Sequence, residues 1–155
     1  MMRIPGIPTL PAGWRIRLDW GSTHARGRYA YASTTDKLIA LCPKWWLYAP
    51  GLALLLAKAC GLSGWWTVCG VALLLLQTAA LYFALKHETG HAWGIPKSGC
   101  VGGNKRCVMA EETMLGYAED SIIGKLRLLP GQIHNLGRFC DACKAKMAEA
   151  QTTEE

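Results

Sequence analysis

Between Lys44 and Lys86 the only charged side chain is Lys58. So long a depletion restricts the chain to two solutions: apolar helices sealed in a core, or apolar helices in lipid. The block has two halves. Trp45–Cys60 reads WWLYAPGLALLLAKAC, interrupted by Pro50 and Gly51, and Gly61–Gly64 (GLSG) forms a break. Trp65–Leu85 then reads WWTVCGVALLLLQTAALYFAL, 21 residues without a charge. A run of about 20 such residues matches a transmembrane helix. Paired tryptophans at its start suit the headgroup belt, and Lys44 and Lys86 bracket the whole block. The reading is a membrane-embedded helical hairpin that enters and leaves by one face. Its first arm is marginal as a full span, so a re-entrant segment stays open. A buried core helix also stays open, since Gln77, Thr78 and the glycines are tolerated there.

Charge placement supports a membrane surface. Ahead of the block stand Arg3, Arg15, Arg17, Arg26, Arg28, Lys37 and Lys44 against Asp19 and Asp36. Basic flanks on both sides of an uncharged tip put both termini in the cytoplasm. Net charge is +6, yet no aromatic–basic interleaving or recognition module marks a nucleic-acid binder. The N-terminus, MMRIPGIPTLPAGW, has no apolar run before its prolines, which argues against a signal peptide. The seven cysteines are therefore expected as reduced thiols, and clustered ones as metal ligands.

At 155 residues the chain is one α+β domain with distinct segments. Residues 1–44 form an N-terminal β region. A Pro- and Gly-rich leader is followed by strand-like runs at Trp14–Trp20, Arg28–Ala32 and Leu38–Cys42, expected as a small antiparallel sheet. Residues 45–85 are the apolar hairpin, 86–147 a zinc metallopeptidase-like region, and 148–155 a frayed tail.

Directly after the apolar run comes His87-Glu88-Thr89-Gly90-His91. Helical residues four apart share a face, so both imidazoles can meet one catalytic zinc. Glu88 can take a proton from a water that the metal acidifies, then pass it to the leaving amine. Gly94 supplies a helix-ending turn and Pro96 prevents resumption. A third ligand is not evident: Glu111, Glu112, His134 and His24 are the candidates. A downstream glutamate completing a His₂Glu set is a known zinc solution.

Cys100, Cys107, Cys140 and Cys143 form two pairs that together suit a closed structural zinc site. Gly102-Gly103 suits the knuckle of the first pair. No thioredoxin-like pattern surrounds the CxxC, which disfavours a redox pair.

Together these motifs resemble the archaemetzincins. That family runs HExxHxxGxxHC, then a cysteine two residues before a methionine, then a distal CxxC. This chain has HETGHAWGIPKSGC, Cys107-Val108-Met109, and Cys140-Asp141-Ala142-Cys143. The resemblance covers about residues 85–147 and is divergent: Lys97 replaces the third histidine, and Cys100 falls two residues late. It implies a zinc peptidase fold with one catalytic and one structural zinc, the cysteines holding the second. It also implies that Met109 lies in the methionine turn beneath the catalytic metal, although by itself Met109 reads as a plain core residue.

The expectation is therefore a membrane-associated zinc metallopeptidase that hydrolyses peptide or protein substrates lying along an edge strand of the sheet. Its alternative is a catalytically inactive, zinc-stabilised membrane adaptor, which Lys97 favours. A soluble peptidase with the apolar block as core is the third reading.

Overall fold

The computed structural model describes residues 5–20, 29–43, 45–61, 64–104, 107–110 and 137–153. Three strands, β1 (Arg15–Leu18), β2 (Ala30–Ser33) and β3 (Leu38–Leu41), fall within or beside the expected runs. The sheet is mixed, with order β1-β3-β2, and not antiparallel throughout. The four-residue turn Thr34–Lys37 makes β2 and β3 an antiparallel hairpin. Ser33 Oγ and Asp36 close that turn, and Lys37 sits at φ 48° to complete it. β3 then inserts between β1 and β2, and having reversed direction relative to β2 it runs parallel to β1, Arg15 opposite Leu38. Alternation in the strands could fix their existence but not which neighbour each would take.

α1 (Trp45–Ala59) and α2 (Gly64–Ala92) form an antiparallel pair joined by a short turn. Pro50 and Gly51 do not interrupt α1, contrary to the sequence expectation. Pro50 lies inside the helix and is exposed; α1 runs through it although its missing N–H forfeits one intrahelical hydrogen bond. Gly51 is the contact point: a Cβ there would stand 2.9 Å from Leu74 Cγ and 3.1 Å from the Gly70 carbonyl oxygen. A Cβ on Gly70 would meet the Gly51 oxygen at 2.9 Å. Two facing glycines thus let the backbones approach, as small residues do between apolar helices.

α2 continues through the expected boundary at residue 85 without a break, so the apolar stretch and the HExxH segment are one helix. Among the described residues it is the helix long and apolar enough to cross a membrane, and only 11% of its apolar stretch is buried by the rest of the chain. Its second half packs on β2 and β3, with Tyr29 Oη donating to Gln77 Oε1 at 3.2 Å. The leader runs alongside: Tyr82 Oη donates to the Pro5 carbonyl at 2.9 Å and Trp93 Nε1 to that of Thr9 at 2.7 Å.

α3 (Asp141–Thr152) reaches beyond Ala148, where a frayed tail is expected. It buries Cys143 and Met147, one turn apart, against Trp93, Ile95, Val108, Met109 and Phe139. That small core joins the end of α2 to the cysteines.

Gly70→Val should push α1 from α2 and cost about 1–3 kcal/mol, as overpacking does. A fall in thermal midpoint followed by circular dichroism would show it. Gly64→Ala, where an added Cβ meets nothing within 4 Å, should leave the midpoint nearly unchanged.

Candidate metal centres

The last turns of α2 bring His87 and His91 together, their ring centroids 4.7 Å apart and their Nε2 atoms 3.0 Å apart. The other nitrogens are both committed. His87 Nδ1 contacts the Val108 carbonyl oxygen at 2.8 Å, and His91 Nδ1 that of Ile95 at 2.9 Å. A carbonyl oxygen only accepts, so each ring carries its proton on Nδ1 and presents a lone pair at Nε2. Two converging lone pairs at this distance repel unless a cation lies between them. Around a tetrahedral zinc, with Zn–N near 2.05 Å, two nitrogens would stand about 3.3 Å apart. The pair fits such an ion.

Burial strengthens that preference. It lowers the His87 pKa to about 4, against the raising effect of the Val108 hydrogen bond, and the neighbouring His91 lowers it further. His91 is also lowered, first by burial and, after the opposing Ile95 bond, by the positive charge of Lys97. Both rings stay neutral and metal-competent at pH 7.

The helix end explains where the Ile95 carbonyl comes from. Gly94 adopts φ 83°, its N–H bonds the His91 carbonyl at 3.0 Å, and the Ile95 N–H bonds that of Gly90 at 3.1 Å. This is a Schellman motif, which turns the chain back over its own last turn. Glu88 is buried beside His87. Gly90 lies between the histidines, and a Cβ there would meet Met109 Sδ at 2.5 Å and Phe139 Cε1 at 3.0 Å. Met109, fully buried, therefore packs directly against the HExxH turn. Lys97 is exposed. Glu111, Glu112, His134 and His24 lie outside the described residues.

The four cysteines converge as well. All four Sγ atoms lie within 4.8 Å of one another. Cys100–Cys140 is 3.3 Å, while Cys107–Cys143 and Cys143–Cys100 are each 3.7 Å. Disulfide sulfurs would be near 2.05 Å; sulfurs around a tetrahedral zinc, with Zn–S near 2.3 Å, would be about 3.8 Å apart. The cluster is compatible with a metal ion such as zinc.

Local structure builds the cluster from two turns and a helix start. The Gly103 N–H bonds the Cys100 carbonyl at 3.0 Å, and the Ala110 N–H that of Cys107 at 2.9 Å. Gly102 is required because a Cβ would press on Ala142 Cβ at 3.0 Å. Cys140 caps α3 and Cys143 lies in its first turn, where the helix dipole favours thiolates. The Cys140 N–H also donates to Cys107 Sγ at 3.3 Å. Burial raises the Cys140 thiol, but the Cys143 N–H and the surrounding sulfurs outweigh it and bring the pKa down to about 7. Burial pushes Cys107 and Cys143 up. Thiols this crowded lose their protons most readily to a shared metal.

One tripeptide belongs to both centres. Cys107 contributes its thiol to the cluster, Val108 its carbonyl to His87, and Met109 its side chain to Gly90. The backbone roles of Val108 and Ile95 left no trace in the sequence, because a carbonyl acceptor needs no particular side chain.

Comparison with protein-family models, curated proteins and solved structures finds no match to this chain.

The histidine shifts predict an acid sensitivity of the metal-free protein. Its folded state holds fewer protons than the unfolded one between about pH 6.5, the ordinary histidine value, and about 4. Stability is full above that window and declines as pH falls through it. The urea midpoint of chelator-stripped protein should drop between pH 7 and pH 4.5, and less so in His87→Gln.

Proposed function

We propose that this chain is a membrane-attached zinc metallopeptidase, with His87 and His91 holding the catalytic metal and Glu88 acting as general base. The observation that carries the reading is the convergence of two neutral Nε2 lone pairs whose Nδ1 protons are both spent on backbone carbonyls. Metal-binding histidines are oriented in this way, by a partner on the other ring nitrogen. The likeness of the HExxH, Cys-x-Met and CxxC order to the archaemetzincins agrees with it, and so does the packing of Met109 beneath Gly90.

In this reading Cys100, Cys107, Cys140 and Cys143 hold a structural zinc that staples the C-terminal lobe. The zinc on the histidines supplies Lewis acidity, both to acidify water and to polarise the scissile carbonyl. Glu88, buried next to His87, receives the proton of the attacking water and returns it to the departing amine. Among the described residues the outer strand β1 pairs on one side only, and its other edge is where a peptide substrate would extend. Trp45–Leu85 attaches the protein to the membrane, with both termini on the cytoplasmic face.

A specific observation favours a second reading, a zinc-stabilised adaptor without activity. Lys97 stands where the resemblance requires a third histidine, and its charge opposes that of a metal at His91. The third ligand would then be missing and the histidine site weak.

Metal analysis separates the two. Purified wild type should hold two zincs per chain, and His87→Ala/His91→Ala only one. Glu88→Gln should keep both zincs while losing peptide hydrolysis by a factor of about 10²–10⁴. One zinc in both the wild type and the histidine variant would leave the adaptor.

A further inference from the structure

The apolar hairpin is too short for the role its composition suggests. α1 is a 15-residue helix, about 22 Å long at 1.5 Å per residue. A bilayer's hydrocarbon core is about 30 Å thick. α2 is longer, but its far half is already occupied. From Gln77 onward it is tied to β2 through Tyr29 and to the leader through Tyr82, and it bears the histidines. The part left free, Gly64–Leu76, measures about 20 Å. Both arms therefore end at the same height, where α1 begins and where the sheet starts to cover α2.

Below that height the exposed large side chains among the described residues are apolar, and the sequence adds one charge, Lys58, near the tip. Leu56, Trp65, Val68 and Leu75 are 71%, 70%, 58% and 65% exposed. Thr78, at the boundary, returns its hydroxyl to the Leu74 carbonyl at 2.9 Å and offers no unmet polar group. At the boundary itself the features change. β1 lies parallel to β3 and ends beside the chain that leads into α1, so the exposed Trp20 stands close to the hairpin's base. Arg17 on the same strand is exposed and cationic. An exposed tryptophan and a cation on and just beyond the strand that ends beside the hairpin's base, with Lys58 the single charged residue of the hairpin beyond it, suit a headgroup layer of anionic lipid.

We infer that the α1–α2 hairpin inserts into a lipid bilayer from one side and ends inside it, without its tip emerging on the far face. The occupant of this surface is lipid rather than protein, because exposed large apolar side chains lie on both arms and the hairpin's sequence carries one charge, Lys58, and no acidic group. The inference rests on the membrane attachment proposed above and adds a depth. By the same ruler the histidine pair stands roughly 15 Å above the hairpin's base, ten residues along a continuous helix from Gln77. The helix thus holds the HExxH segment at a fixed height over the lipid surface.

Cys60, exposed in the turn at the tip, is a native reporter. The full chain is added to preformed phosphatidylcholine–phosphatidylglycerol vesicles and floated on a density gradient. A membrane-impermeant maleimide is supplied outside the vesicles, or preloaded inside them, and modification of Cys60 is mapped by mass spectrometry. The inference expects co-flotation and no labelling of Cys60 from either side, with full labelling once lipid is removed and the chain denatured. Labelling from the inside overturns the depth and restores a crossing hairpin. Labelling from the outside on floated protein shows a tip outside the lipid and overturns insertion. Failure to float overturns attachment as well. Leu56→Glu and Leu75→Glu, both at exposed positions, should each abolish flotation while leaving the helical circular dichroism signal unchanged; unimpaired flotation of both would also overturn the inference.

Discussion

The hydrogen bond between His87 Nδ1 and the Val108 carbonyl, 2.8 Å long, carries more of this structure than its own energy suggests. It fixes the tautomer of a buried ring and so decides which nitrogen faces His91. It also comes from a residue flanked by Cys107 and Met109, which serve the cysteine cluster and the floor under Gly90. A shift of this short segment would move a thiol, a ring and a core contact together. The two candidate metal centres are therefore parts of one small lobe. A four-sulfur metal site would add rigidity to such a segment, as it does in small domains.

The helix α2 gives the lobe its second anchor. It runs unbroken from an apolar tip to the histidines, so that the environment of one end sets the position of the other. Glycine serves it in different ways along its length. Gly70 permits close approach of α1, Gly90 permits approach of Met109, and Gly94 reverses the chain so that the Ile95 carbonyl meets His91. A larger residue at Gly70 or Gly90 would have to move a neighbour, and at Gly94 the left-handed backbone, not crowding, favours glycine.

Much of this was legible in the residues alone. The strands, the apolar block, the helix end at Gly94 and the pairing of the four cysteines all follow from local pattern, and local pattern is what a sequence carries directly. The sheet was misjudged because alternation in Trp14–Trp20 and Leu38–Cys42 says nothing of which strand lies between which. Pro50 and Gly51 read as a break, yet the helix runs through both, one facing solvent and the other making a packing contact. The acceptors of the histidine protons were invisible for a different reason: they are backbone atoms, brought near by a turn after Gly94 and by the strap at Val108. Met109 lies against Gly90 of the HExxH turn, where residue type alone suggested only a buried methionine.

The central claim is that the cysteine cluster holds the histidine pair in its metal-competent geometry. It is tested most directly by titrating zinc against a chelator in wild type and in Cys140→Ser, and reading the affinity of the histidine site. An effect of Cys140 on the histidines would pass through the Cys107–Met109 segment or through the neighbouring Phe139, which packs at Gly90. The account predicts that the histidine site weakens by about 10- to 100-fold, the usual cost of losing an orienting partner. An unchanged affinity in a folded Cys140→Ser protein would contradict it.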